Sequence, residues 1–122
     1  MVNNEKNKYD NTILPKQIED FVAHLSIEKN YAVNTISSYK RDLLKFSSFL
    51  IKKEFPDFKS VDSDTINMFV MELRHGNTSG KSLKRYLSSI RVFFGFLMEN
   101  AEVEANPALA IKIPKNERDL PK

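Results

Sequence analysis

Four stretches of the chain place apolar residues every three or four positions, which is the spacing of one face of an α-helix. The clearest covers residues 79–98, and its apolar stripe consists of Leu83, Leu87, Ile90, Phe94 and Leu97. The opposite side carries lysine, arginine and serine, and residues 79–98 contain no acidic residue. This pattern predicts a helix that buries one face and offers cations on the other.

Three similar stripes precede it and predict three more helices, over residues 15–30, 34–53 and 62–75. Their apolar positions are Ile18, Phe21, Val22 and Leu25 in the first, Ile36, Tyr39, Leu43, Phe46 and Leu50 in the second, and Ile66, Phe69, Val70 and Leu73 in the third. Asn34 and Asp62 are suited to N-cap positions, and Gly76 is suited to the C′ position that ends the third helix.

No stretch alternates apolar and polar residues as a half-buried strand does. We therefore expect an all-α fold, a bundle of four main helices with a short C-terminal helix from Asn106–Pro107 to about Ala110. Residues 1–12 are polar and without period, which is typical of a flexible tail. Residues 13–113 form the predicted domain. Residues 114–122 contain proline and many charges, as linkers do.

Composition narrows the class of protein without identifying it. The 122 residues give room for one domain, and 41% hydrophobic with 29% charged residues is ordinary for a globular protein. The absence of cysteine excludes disulfides and thiolate metal sites. No apolar run reaches the roughly 18 residues of a membrane span, and the N-terminus lacks a signal-peptide core. We expect a cytoplasmic protein without membrane contact.

Charge is distributed unevenly among the predicted helices. Residues 34–53 contain five basic residues against one acidic residue, and residues 79–98 contain four against none. In residues 15–30 and 62–75, acidic residues outnumber basic ones. Although lysine and arginine also belong on any solvated helix, their concentration on two helices is typical of a surface that binds a polyanion, most often nucleic acid.

A catalytic site is not evident in the sequence. His24 and His75 are the only histidines, and neither has metal-ligand spacing. There is no glycine-rich phosphate loop after a strand, no nucleophile elbow and no cysteine nucleophile. We therefore predict no catalysis by this chain, no cofactor and no metal.

Several motifs, taken in order, carry a resemblance to a known family. They are Phe21-x-x-x-Leu25, Thr35-x-x-x-Tyr39-x-x-Asp42-Leu43-x-x-Phe46, Ser82-x-x-x-x-x-Ser88-x-Ile90-Arg91-x-Phe93-Phe94, Asn106-Pro107-Ala108 and Leu120-Pro121-Lys122. Over about residues 15–122 the chain resembles the N-terminal core-binding domain of tyrosine recombinases, the phage integrase family. It is most similar to the bacterial Xer recombinases, and closer to the XerC than to the XerD branch.

The resemblance implies a four-helix, SAM-like domain that clamps one side of double-stranded DNA. It also implies that residues 114–122 lead to a C-terminal catalytic domain, which supplies the nucleophilic tyrosine beyond residue 122. Xer recombinases resolve chromosome dimers at cell division, two related recombinases sharing one site. The implied partners are therefore DNA and a second, XerD-like protomer, while the isolated domain is expected to be monomeric.

Family members set their second and fourth helices against the major groove, and these are the two basic helices here. The candidate DNA-binding residues are Thr35, Ser38, Arg41, Lys45, Lys81, Lys84, Arg85, Ser88 and Arg91. We expect most of them to contact phosphate and one or two to read base edges. Two alternatives stay open: a phage or mobile-element integrase, and a helical module that binds an acidic protein.

Overall fold

The computed structural model describes residues 13–113, and over that range it contains four α-helices and no strand. We number them α1 (Ile13–Ala23), α2 (Val33–Lys52), α3 (Ser63–His75) and α4 (Gly80–Glu99). A π-helical turn, His24–Glu28, continues α1, and a 3₁₀ turn, Phe58–Ser60, lies between α2 and α3. The predicted all-α class and the four main helices are confirmed. The predicted tail and linker, residues 1–12 and 114–122, lie outside the described range.

Aromatic side chains form the centre of the core and link the helices to one another. Phe93 of α4 packs its ring edge-on against Phe21 of α1, with ring centroids 5.4 Å apart, and against Phe58 at 4.8 Å. Phe46 of α2 and Phe69 of α3 meet at 5.0 Å. The predicted stripes of α3 and α4 are buried throughout, and only Val22, Ile36 and Tyr39 of the other two are partly exposed.

The beginnings of the helices agree only in part with the predicted caps. The Asp62 carboxylate accepts a hydrogen bond from the Thr65 backbone N–H at 2.9 Å, in a capping box that starts α3. Ser79 caps α4 in the same way. The prediction for Asn34 is wrong, because the N-cap of α2 is Ala32, two residues earlier, and it makes no side-chain hydrogen bond.

Three helices end in the same left-handed turn, although none of them places glycine there. Glu54, Asn77 and Ala101 follow α2, α3 and α4 with φ angles of 65°, 67° and 58°. In each turn the backbone N–H of the left-handed residue and that of the residue after it donate to carbonyls of the last helical turn, which is the Schellman arrangement. Gly76, predicted at the left-handed position, has a φ of −88°, and Asn77 occupies that position instead.

The short C-terminal helix is not formed; residues 107–110 make turns instead. The Arg91 side chain of α4 explains the difference, because its Nε donates to the Ala108 carbonyl at 2.9 Å and its Nη2 to the Ile111 carbonyl at 2.5 Å. Asn106 donates in return to the Arg91 carbonyl at 3.0 Å. These bonds hold residues 106–111, here called the C-terminal segment, along α4. None of the helices within residues 13–113 is long and apolar enough to cross a membrane.

Candidate nucleic-acid interface

The two basic helices lie side by side in the bundle, so their outer faces form one continuous surface. Of the nine predicted residues, four are exposed cations that do not line the groove between these helices: Arg41, Lys45, Lys81 and Lys84. None of these four makes an ion pair with another described residue. They are therefore available to a negatively charged ligand.

A groove of about 290 Å³ separates α2 from α4 on this surface. Its lining combines hydroxyl groups with one ion pair: Thr35, Ser38, Tyr39, Asp42, Arg85, Ser88 and Ser89. The groove thus brings together four further predicted residues from stretches about fifty positions apart: Thr35, Ser38, Arg85 and Ser88. Partial burial raises the pKa of the Tyr39 phenol, and nearby Tyr31 adds to the shift, so this hydroxyl stays protonated at neutral pH.

An ion pair between Asp42 and Arg85 forms the floor of the groove. The Asp42 side chain is 1% exposed, whereas that of Arg85 is 43% exposed. Arg85 donates from Nε to both carboxylate oxygens, at 3.1 and 3.3 Å, and from Nη2 to Oδ1 at 2.9 Å. The Ser89 hydroxyl donates to Oδ2 at 2.8 Å. The buried carboxylate therefore has hydrogen-bond donors on both oxygens.

The position of Arg85 is fixed from a second side by an aromatic ring. The centre of its guanidinium lies 4.9 Å from the centroid of the Tyr86 ring, which is cation–π distance. Hydrogen bonding to Asp42 is the main cause that raises the pKa of Arg85 above its ordinary value. Arg85 is thus a permanently charged fork held in one orientation, and not a mobile surface cation.

Arg91, the ninth predicted residue, makes its hydrogen bonds within the protein. Its guanidinium donates to the two carbonyls of the C-terminal segment described above, and its side chain is only partly exposed. The structure therefore does not bring Arg91 together with the groove residues. Its role in the fold is to fix the path by which the chain leaves α4.

Sequence reasoning missed Asp42 and Ser89 as parts of this site. A signal for Asp42 was present, since it is the one acidic residue among residues 34–53. A single acidic residue in a basic helix indicates a specific partner, and here the partner is Arg85 on the neighbouring helix. Ser89 carried no such signal, because one of three serines on α4 is not distinguished by its spacing.

Over the described range, the surface outside α2 and α4 contains no recognisable catalytic group. Among residues 13–113 no cluster of three or more histidine or acidic side chains is arranged to hold a metal ion. His24 packs on Phe96 with ring centroids 4.9 Å apart and lies 3.5 Å from Glu28. A larger hollow of about 590 Å³ lies between the 3₁₀ turn and residues 101–107, with a partly apolar lining.

Comparison with known proteins identifies the class of domain that this helical arrangement represents. The sequence model of the family described as "Phage integrase, N-terminal SAM-like domain" matches residues 18–101. The chain belongs to this family.

The curated relatives are named as tyrosine recombinases. The chain is 34% identical to tyrosine recombinase XerC of Anoxybacillus flavithermus, over 83% of this chain and 34% of that protein. It is 36% identical to tyrosine recombinase XerD of Listeria monocytogenes, over 86% of this chain and 36% of that protein. The chain thus spans about a third of the length of these relatives. No solved structure matches it at a significant level.

Proposed function

We propose that this chain is the DNA-binding clamp domain of a site-specific tyrosine recombinase. The observation that carries the proposal is that α2 and α4 combine a groove lined with hydroxyls and four exposed cations that have no ion-pair partner among residues 13–113. Lysine and arginine provide the sequence-independent attraction to DNA phosphates, and hydroxyl groups add short hydrogen bonds to them. In this proposal most contacts fix the position of the duplex, and few of them select its sequence.

The proposed reaction of the whole protein is recombination of the Xer type, which resolves chromosome dimers at cell division in the cytoplasm. The names of the curated relatives support it. Catalysis would then belong to a further domain, since this chain matches only about a third of each relative. A second, XerD-like protomer would complete the assembly. Integration of a phage or mobile element is the alternative, because its core-binding domain would present the same helices.

A binding measurement at several salt concentrations tests DNA binding by this chain. We expect a fluorescein-labelled 30-base-pair duplex to bind, with an affinity that falls as salt rises. Each phosphate neutralised contributes about 0.9 to the slope of log K against log salt, so four cations predict a slope near −3.6. A protein that fails to bind at low salt, or binds independently of salt, would exclude this proposal.

Variants that replace lysine by glutamine show which surface of the domain binds DNA. Lys45→Gln combined with Lys84→Gln should reduce the steepness of the salt dependence by about 1.8, because two phosphate contacts are lost. Lys59→Gln combined with Lys29→Gln is the matched control, since it removes the same charge from exposed positions outside α2 and α4. The control should keep the wild-type slope.

The second candidate is a module that binds an acidic protein. It rests on the same exposed cations, but a protein partner would not need the regular spacing of phosphates. It predicts saturable binding of a poly-glutamate peptide and no binding of duplex DNA at the same salt concentration.

A further inference from the structure

Asp42 is the one charged side chain among residues 13–113 that is fully buried. It lies on α2 below the groove and accepts every hydrogen bond that joins α2 to Arg85 and Ser89 of α4. Such an ion pair gains little stability over well-packed apolar side chains, because the Asp42 carboxylate loses its hydration and the Arg85 guanidinium loses part of its own. Structural stability alone is therefore a weak explanation for the pair.

The pair has a direct consequence for the groove. Asp42 balances the charge of Arg85, so the exposed guanidinium adds no net positive charge to the surface. It remains a planar donor, however, because Asp42 takes Nε and one N–H of Nη2 and leaves Nη1 uncommitted to the carboxylate. Such a planar edge is suited to a bidentate acceptor, and it is rigid because Asp42 and Tyr86 both hold it.

We infer that Asp42 is a positioning residue that makes Arg85 selective toward its ligand. A free arginine on this face would bind any phosphate by charge. A fixed guanidinium whose charge is balanced by Asp42 binds well only to an acceptor in the right place, such as the edge of a guanine. The exposed lysines then supply affinity, and the Asp42–Arg85 pair supplies discrimination between sequences. This inference rests on the proposed function, since it assumes that the ligand is duplex DNA.

Substitution of Asp42 by asparagine separates this role from simple electrostatics. Asp42→Asn removes a negative charge and frees Arg85, while the amide keeps the shape of the side chain and one acceptor oxygen for Arg85. We expect tighter binding to a mixed-sequence duplex at low salt and a salt dependence steeper by about 0.9, because one more cation engages phosphate. At the same time, the discrimination between DNA sequences should fall.

Selectivity is measured by selection from a pool of duplexes with a randomised central region. The wild-type protein should enrich a motif, and Asp42→Asn should lower the enrichment at one base pair by about tenfold, the discrimination of a bidentate arginine–base contact. Unchanged enrichment in Asp42→Asn would overturn the inference. So would a wild-type protein that binds the pool and enriches no motif, a result that leaves DNA binding intact. A wild-type protein that binds no duplex overturns the proposed function itself.

Three further measurements test the inference if Asp42→Asn folds poorly: binding by two other variants and an NMR signal of the wild-type protein. Arg85→Lys keeps the charge balance with Asp42 but loses the planar fork, so enrichment should fall about tenfold with an unchanged salt slope. Lys84→Gln should do the opposite, with a shallower slope and the same motif. In the free protein, the Arg85 Nε–H should give a sharp NMR signal at neutral pH. A signal broadened by exchange with water would contradict a fixed guanidinium.

Discussion

Replacement of Arg85 by methionine should destabilise the fold, although the side chain is on the surface. Methionine keeps much of the aliphatic length but removes three of the four hydrogen bonds to Asp42 that residues 13–113 supply. It also removes the one cation within that range that pairs with Asp42. Loss of one partner from a buried ion pair costs about 3–5 kcal/mol. Because Arg85 is 43% exposed, water screens part of this interaction, and we expect about 2–3 kcal/mol. In a domain of this size that lowers Tm by roughly 10–20 °C.

In Arg85→Met the carboxylate of Asp42 is buried without a counterion, which disfavours the folded state. Thermal unfolding at pH 7, followed by circular dichroism at 222 nm, measures the loss of stability. A Tm equal to that of the wild type would contradict a contribution of the ion pair.

The double variant Asp42→Asn with Arg85→Met is the matched control. It removes the buried charge together with its partner, so at pH 7 it should recover most of the stability lost in the single variant. A double variant as unstable as Arg85→Met would show that the lost stability comes from side-chain packing. The ion pair would then be unimportant to the fold.

Three other substitutions test a helix cap, a left-handed turn and the hydrogen bonds of the C-terminal segment. Asp62→Ala should lower the urea midpoint at pH 7. The hydrogen bond from the Thr65 N–H holds the pKa of Asp62 below its ordinary value of 3.8, so the difference should disappear as the pH falls through that lowered pKa. Ala101→Gly should raise the free energy of unfolding by about 1 kcal/mol, because glycine adopts the left-handed φ of 58° without strain; an unchanged Tm would contradict this. Arg91→Met should release the C-terminal segment and accelerate tryptic cleavage after Lys112 about tenfold, while Tm changes little; an unchanged cleavage rate would mean that other contacts hold the segment.

The helices could be predicted from the sequence because each carries its own signal. The stripe Leu83, Leu87, Ile90 repeats at the helical period, and the Asp62 cap depends on a residue only three positions away. These features need no knowledge of the neighbouring helices. The same locality explains why the apolar positions of α3 and α4 were predicted correctly.

The roles of Arg85 and Arg91 could not be predicted in this way. Asp42 and Arg85 are 43 positions apart, and only the packing of α2 against α4 places them within hydrogen-bond distance. Arg91 looked like another cation of the basic face, but the carbonyls that it binds belong to a segment whose turn structure depends on Arg91 itself. Basic residues on a helix show where positive charge lies, and the fold determines which of those charges are already used.

An NMR titration with duplex DNA shows directly which surface of the domain contacts the ligand. We predict that backbone amide signals shift at Ser38, Lys45, Lys84 and Ser88 on α2 and α4, while those on the exposed side of α3 around Met71 stay unchanged. Shifts that concentrate around Met71, or an absence of shifts at low salt, would contradict binding of DNA by the basic helices.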